Sequence, residues 1–213
     1  MKKLIFLTLL FLIFSCSNTN EVGNSLLETI VEPTSISKED YIYTLGEVMI
    51  KWTAFKHLAK AQVGGTFKSS IVEGFTESVD LNNSVSGVTF KIPVNSTSTN
   101  DTVRDYKIVN SFFKTMVNTD FITGKIISLN NNGTGLLSIS MNNSQVEKKF
   151  NWKMDQSTRE IYIKTSIDVL NWGAQSSLDA LNEVCLEQHT GPDGKNVLWP
   201  NVDITVIVDL SDY

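Results

Sequence analysis

The sequence predicts a mainly β protein, built as an eight-stranded antiparallel barrel with two short inserted helices. Three observations lead to this prediction. Apolar and polar residues alternate along most of the chain after Tyr41, turn-forming residues separate the alternating stretches, and two segments show helical spacing instead.

The alternation is clearest near the C-terminus. Apolar residues at every second position, with mostly polar residues between them, indicate a strand with one buried face. The residues on that face are Val202, Ile204, Val206, Val208 and Leu210. Seven further segments show the same period and are predicted strands: 47–58, 62–73, 88–94, 121–129, 135–141, 149–154 and 160–169.

Residues that tolerate tight turns join several of these strands. Asn-rich links at 130–133 and 142–144, and a polar break at 155–158, have the length of hairpin turns. Strands joined so closely are antiparallel neighbours. Closing eight of them into a barrel leaves no unpaired edge, and a barrel of that size either fills with side chains or holds one small ligand.

Two segments depart from the strand pattern. Residues 101–116 and 176–188 place apolar side chains at spacings of three and four, which predicts helices. Asp101 is the expected N-cap of the first helix, and Gly191-Pro192 follows the second.

The N-terminus resembles a bacterial lipoprotein signal. Lys2 and Lys3 precede an apolar run at 4–14, which is too short for a permanent membrane span, and Cys16 follows Ser15. We therefore predict a signal peptide at 1–15, a lipidated Cys16 with a flexible tether at 16–38, and a barrel domain at 39–213. By analogy with the sorting of such lipoproteins, Ser17 after the cysteine predicts the outer membrane, with the protein facing the periplasm.

Charge and composition narrow the function. The formal net charge of −5 becomes −7 without the two lysines of the signal, which argues against a nucleic-acid partner. Besides Cys16 the chain has only Cys185, so neither an intramolecular disulfide nor a cysteine-rich zinc site is expected. We expect no metal and no cofactor, and no catalytic motif is recognisable, which favours a binding protein over an enzyme.

Four short motifs follow one another along the chain, with a Ser/Thr-rich strand end at 94–99 between the second and third. They are Lys56-His57, Gly65-Thr66-Phe67, Arg104-Asp105 and Phe112-Phe113. In this order they resemble the YceI-like family of envelope proteins. The resemblance implies a lipocalin-like barrel whose interior takes up a long apolar molecule, with polyisoprenoid lipids such as quinone tails as the ligand class.

Most of the predicted ligand-binding residues are apolar and occupy strand positions whose side chains point into the barrel. Arg104 is added because a guanidinium group can hold a polar head group. The full set is Trp52, Phe67, Phe90, Arg104, Phe113, Phe150, Trp152, Ile163, Ile204 and Val206.

Two alternatives to a lipid carrier stay open at this point. Apolar alternation also fits a filled barrel that acts as an envelope interaction module, and Arg104 can pair with a neighbouring carboxylate instead of a ligand. An enzyme acting on lipid-like substrates is the other alternative, if carboxylates or His57 converge at the barrel mouth.

Overall fold

The structure is a computed structural model that describes residues 41–210. Within these residues, ten antiparallel strands form one sheet. The strands are β1 Val48–Lys56, β2 Ala61–Phe67, β3 Ile71–Glu73, β4 Thr89–Pro93, β5 Thr97–Ser98, β6 Phe121–Asn130, β7 Thr134–Met141, β8 Ser144–Asp155, β9 Glu160–Asp168 and β10 Leu198–Asp209. Their order in the sheet is β3-β4-β6-β7-β8-β9-β10-β1-β2-β5. The predicted signal peptide, Cys16 and the tether lie outside the described residues.

The mainly β, antiparallel character is confirmed, but the count of eight strands is not. The predicted strand at 62–73 is interrupted at 68–70, so its first part pairs with β1 and β5 while its second part pairs with β4. A one-turn 3-10 helix at Val94–Ser96 likewise separates β4 from the two-residue β5. Two strands begin four or more residues earlier than predicted, β8 at Ser144 and β10 at Leu198.

The sheet curls because each of its two end strands, β3 and β5, directly follows in sequence a strand near the opposite end of the sheet. β3 follows β2 after three residues, and β5 follows β4 after the 3-10 turn. In the link between β2 and β3, the Lys68 N–H donates to the Ser96 carbonyl, which lies in the 3-10 turn between β4 and β5, at 2.9 Å. These links bring the ends of the sheet together, so it curves back on itself into a barrel-like shape with an apolar concave side.

The predicted turn residues adopt the backbone conformations that tight turns require. Asn142 and Asn143 have φ angles of 49° and 52°, and they join β7 to β8 through the register pair of Met141 with Ser144. Asparagine tolerates this left-handed region better than most residues, because its short polar side chain can bond locally.

Four α-helices occur among the described residues: α1 Leu81–Val85, α2 Thr102–Ser111, α3 Gln175–Val184 and α4 Leu186–His189. The first predicted helix is α2, and Asp101 caps it by accepting from the N–H groups of Val103 and Arg104, both at 3.0 Å. The second predicted helix is α3 followed by α4, with Cys185 between them. α1 was not expected, because its five residues have no apolar periodicity.

Apolar clusters lie at both ends of the concave side. One includes Phe113, Phe150 and the fully buried Trp172. The other consists of Leu81, Ile161 and Leu210, with Phe75 and Val85 packed against it. We find no helix within residues 41–210 whose length and apolar character would let it cross a membrane.

The register of β10 allows a direct test of which face points inward. Val206 lines the concave side, whereas Thr205 lies directly opposite Lys51 on β1 and Lys164 on β9. Val206→Asp buries a carboxylate among apolar side chains and is expected to lower the free energy of unfolding by about 2–5 kcal/mol. Thr205→Asp places its charge between two lysines and is expected to be neutral or slightly stabilising.

Urea denaturation of the two variants and the parent chain is the measurement. Equal loss of stability in both variants would show that the assigned face of β10 is wrong.

Candidate functional site

Two adjoining cavities occupy the concave side of the sheet. The upper cavity, of about 300 Å³, lies beneath α2, α3 and α4, and the lower cavity, of about 200 Å³, extends toward α1. Both are lined by the same five side chains at the level where they meet: Phe67, Ile122, Met141, Ile167 and Ile204. The arrangement is an elongated apolar space that runs from the helices into the sheet.

The lower cavity is almost wholly apolar. Of the side chains that line it, only Ser70 and Thr165 carry polar groups, and the Thr165 hydroxyl donates to the Lys149 carbonyl at 2.8 Å. No charged side chain faces this space. A molecule held here would therefore be bound by burial of apolar surface, without a polar anchor.

The upper cavity combines an aromatic wall with a charged rim. Its aromatic side chains are Trp52, Phe55, Phe67, Phe112, Phe113 and Trp199. The charged or titratable groups are Lys56, Asp101, Arg104, Lys107 and His189. An elongated molecule with one polar end would thus meet its polar surroundings at this end of the sheet.

Nine of the ten predicted ligand-binding residues line these cavities. Trp52, Arg104 and Phe113 line the upper one, Phe90, Phe150, Ile163 and Val206 line the lower one, and Phe67 and Ile204 line both. That these residues bind a ligand remains a prediction.

Trp152 lines neither cavity. Its indole N–H donates to the carbonyls of Asn130 and Thr134, both at 3.1 Å, and its ring packs against both apolar clusters. Trp152 thus lies on the inward face of β8 as predicted, but its ring packs within the sheet wall and does not border the cavities.

Three of the aromatic side chains are each paired with a glycine on the neighbouring strand. Trp52 lies opposite Gly65, Phe90 opposite Gly124 and Phe150 opposite Gly135. A Cβ atom at each of these glycines would fall 2.3, 2.2 and 2.1 Å from the opposing ring. The rings therefore occupy space that any other residue would fill, which holds them against the wall instead of across the open centre.

Two fully buried polar atoms in the wall of the upper cavity have no hydrogen-bond partner in the described part of the chain. They are the Trp52 indole Nε1 and the Thr97 hydroxyl oxygen, on side chains 8% and 6% exposed. A buried polar group without a partner costs about 1–3 kcal/mol. These atoms are thus the least satisfied polar groups of an otherwise apolar wall.

Arg104 forms an ion pair within its own helix. Its guanidinium group lies 3.4 Å from the Asp101 carboxylate, and the N–H of Arg104 together with the cation lowers the pKa of Asp101. Asp105, the carboxylate next to Arg104 in the sequence, instead accepts from the N–H and the hydroxyl of Thr99, both at 2.7 Å. The Arg104 side chain is 44% exposed at the cavity rim, so its predicted role toward a head group stays open.

The Lys56-His57 motif anchors the helical insertion to the sheet. The Lys56 ammonium group donates to the Gln188 carbonyl at 2.8 Å, and the His57 Nε2 lies 3.1 Å from the same oxygen. From α2, the Lys107 ammonium group donates to the Val184 carbonyl at 2.8 Å. These three contacts hold α3 and α4 over the upper cavity.

Sequence reasoning missed Lys107 and His189 at the rim. His189 is 8% exposed, and burial, aided by electrostatic repulsion from Lys56, His57 and Lys107, lowers its pKa to about 4. No local signal could have identified it, because its environment comes from segments far apart in the chain. Across residues 41–210, no group of three or more His, Cys, Asp or Glu side chains is placed to hold a metal ion.

Comparison with known proteins bears on the fold. No family model and no curated protein matches the chain. A polyisoprenoid-binding domain from Saccharophagus degradans, implicated in plant cell wall breakdown, has a TM-score of 0.55 at 11% identity, and covers 81% of this chain and 99% of its own. BcnA of Burkholderia cenocepacia has a TM-score of 0.52 at 10% identity, and covers 78% and 98%.

The chain shares the fold of these proteins. The YceI protein of Campylobacter jejuni is also similar, with a TM-score of 0.44 at 14% identity, and covers 74% of this chain and 91% of its own. The curled antiparallel fold that the four sequence motifs implied is thus shared with solved structures.

The glycine beneath Trp52 can be tested against its neighbour in β2. A Cβ at Gly65 would meet the Trp52 ring at 2.3 Å and the Ser98 carbonyl at 2.9 Å, whereas a Cβ at Gly64 would meet nothing closer than 3.9 Å. Gly65→Ala is expected to lower the free energy of unfolding by about 1–3 kcal/mol, because the overpacked ring must move. Gly64→Ala is expected to be neutral or slightly stabilising.

Thermal unfolding followed by circular dichroism compares the two variants. Gly64→Ala is the control. If Gly65→Ala has the same melting temperature as the parent chain, Trp52 does not lie over Gly65.

Proposed function

We propose that this chain is a lipid-anchored envelope protein that binds an isoprenoid-type lipid inside its curled sheet and carries or sequesters it. The observation that carries the proposal is the pair of adjoining cavities with an apolar wall. The shared fold supports it, since one protein of that fold is a polyisoprenoid-binding domain.

The shape of the site favours a long molecule with one polar end. Its lower part has no charged side chain, and its upper part is bordered by a charged rim. Burial of apolar surface contributes roughly 25 cal/mol per Å², so most of the affinity would come from the hydrocarbon chain. The upper cavity alone reaches the lower end of the range of about 300–1,000 Å³ that is usual for small-molecule sites.

The cavities favour this proposal over a filled barrel that acts only as an interaction module, because such a barrel would leave no space for a ligand. Two contacts favour binding over catalysis. His57 is engaged with the Gln188 carbonyl, and Asp101 with the N-terminus of α2. Neither is placed as a free acid or base.

Ligand binding can be tested on the chain from residue 17 onward, which lacks only the predicted signal and the lipidated cysteine. Organic extraction followed by mass spectrometry is expected to find a copurified isoprenoid-type lipid. Titration of the emptied protein with isoprenoids of increasing length should show affinity rising with each five-carbon unit until the cavities are full, because each unit buries more apolar surface.

A pair of variants on β9 separates the cavity from the outer face. Ile163→Trp narrows the lower cavity and should weaken binding more than it lowers stability, whereas Lys164→Trp, on the exposed face, should change neither. If no lipid copurifies and no chain length binds below millimolar concentration, the carrier proposal is wrong.

Lipid anchoring rests on the N-terminal sequence alone. The order of basic residues, apolar run, Ser15 and Cys16 supports a diacylglycerol on the Cys16 thiol, and acyl chains contribute roughly 0.8 kcal/mol per buried methylene. Attachment of this kind would keep the binding site close to a source of long-chain lipids.

Changing Cys16→Ala in the full chain is expected to abolish fatty-acid labelling and leave an unprocessed precursor, because the thiol is the acyl acceptor. Metabolic labelling and membrane fractionation measure both properties. Persistent label on the variant would exclude Cys16 as the modified residue, and recovery of the parent chain only in the inner membrane would contradict the predicted outer-membrane location.

A further inference from the structure

His189 lines the upper cavity and has one ring nitrogen without a partner among the described residues. The residue ends α4 and lines the cavity, and its side chain is otherwise buried. Its Nδ1 is 2.8 Å from the Asn182 Oδ1. Its Nε2 has no hydrogen-bond partner in the part of the chain that the structure describes.

A relay of two asparagines determines where the ring proton lies. The Asn196 Nδ2 donates to the Leu186 carbonyl at 3.1 Å, so the Asn196 Oδ1 is left to accept. It accepts from the Asn182 Nδ2, which leaves the Asn182 Oδ1 to accept in turn. Because an amide oxygen cannot donate, the His189 Nδ1 must carry the proton.

The ring is also held neutral. Burial, with electrostatic repulsion from Lys56, His57 and Lys107, lowers the pKa of His189 to about 4, well below neutral pH. A neutral imidazole with its proton on Nδ1 has a lone pair on Nε2. That nitrogen can accept a hydrogen bond but cannot donate one.

We propose that the Nε2 of His189 accepts a hydrogen bond from a hydroxyl group on the bound lipid. This inference rests on the proposed function and names the head group: an uncharged alcohol. The site should therefore prefer a long-chain alcohol to the same chain ending in an oxygen that bears no hydrogen.

The cations at the rim cannot take this role, because ammonium and guanidinium groups donate hydrogen bonds and cannot accept one. The ammonium groups of Lys56 and Lys107 already donate to the carbonyls of Gln188 and Val184, and Arg104 is paired with Asp101. Each of these cations has a protein partner. The His189 Nε2, in contrast, has a lone pair and no hydrogen-bond partner among residues 41–210.

The test compares geranylgeraniol with its methyl ether, which has the same hydrocarbon chain but no hydroxyl hydrogen. Titration of the chain from residue 17 onward should show the alcohol binding about tenfold more tightly than the ether. His189→Phe keeps an aromatic ring and removes the acceptor, so the two probes should bind this variant equally. Lys164→Trp, on the outer face of the sheet, should keep the preference.

Nitrogen NMR gives a readout that a merely structural role for His189 would not produce. The chain has only two histidines, so labelling histidine gives two sets of ring signals. The His189 signals should report the Nδ1–H tautomer at neutral pH, and the Nε2 signal should move on addition of the alcohol but not of the ether.

The outcomes separate this inference from the function on which it rests. If alcohol and ether bind equally to the parent chain, the inference is wrong while the lipid-binding function stands. If neither binds, the proposed function itself fails. If geranylgeranyl phosphate binds more tightly than the alcohol, with equal affinity in His189→Phe, the rim cations hold the head group and the inference is overturned. The comparison of probes on the parent chain needs no variant, so it decides even if His189→Phe does not fold.

Discussion

The apolar concave face of the sheet is the constraint on which the rest of this structure depends. Alternation along the strands directs one row of apolar side chains inward, and these must be removed from water. The chain does this by curling the sheet and by closing its ends with α1 below and with α2, α3 and α4 above. Neither the curl nor the helices fill the interior, and the adjoining cavities are the space that remains.

The paired glycines explain how an aromatic-rich wall can leave its centre open. Large side chains on the inner face of a small barrel would normally meet in the middle and fill it. Here Trp52, Phe90 and Phe150 each lie over a glycine of the adjacent strand. The same side chains that suggest a filled core in the sequence therefore form a lining in the structure.

The alternating strands could be predicted from the sequence because their periodicity reflects the inward face directly. The break at 68–70 could not, because the segment alternates on both sides of it, and only its different pairing partners show that it forms two strands. The early start of β8 has a similar cause: the residues from Ser144 have little apolar character, and their pairing with β7 makes them a strand. Pro200, which argues against a strand, lies where the register between β1 and β10 shifts.

The candidate site was predictable only where it is built from strands. Inward parity identifies wall positions such as Phe67 and Ile204, although it cannot show that the Trp152 ring turns into the wall to reach two carbonyls. Apart from Arg104, the rim escaped prediction because an insertion far along the chain completes it. Lys56 and His57 belong to β1 and its end, yet both reach the Gln188 carbonyl, more than 130 residues away.

A hollow interior also links stability to ligand binding. Side chains that line an empty space lose dispersion contacts on that side, so an unfilled cavity is a cost that the folded state bears. A molecule that fills the space restores those contacts and binds only to the folded chain, which raises the free energy of unfolding by mass action. Because the lower cavity presents almost no polar group, we expect this gain to depend on the fit of a hydrocarbon chain, whereas selectivity for a polar end would depend on the few groups at the rim. Under the proposed function, affinity and selectivity would therefore depend on different parts of the two adjoining cavities, so that each could change without the other.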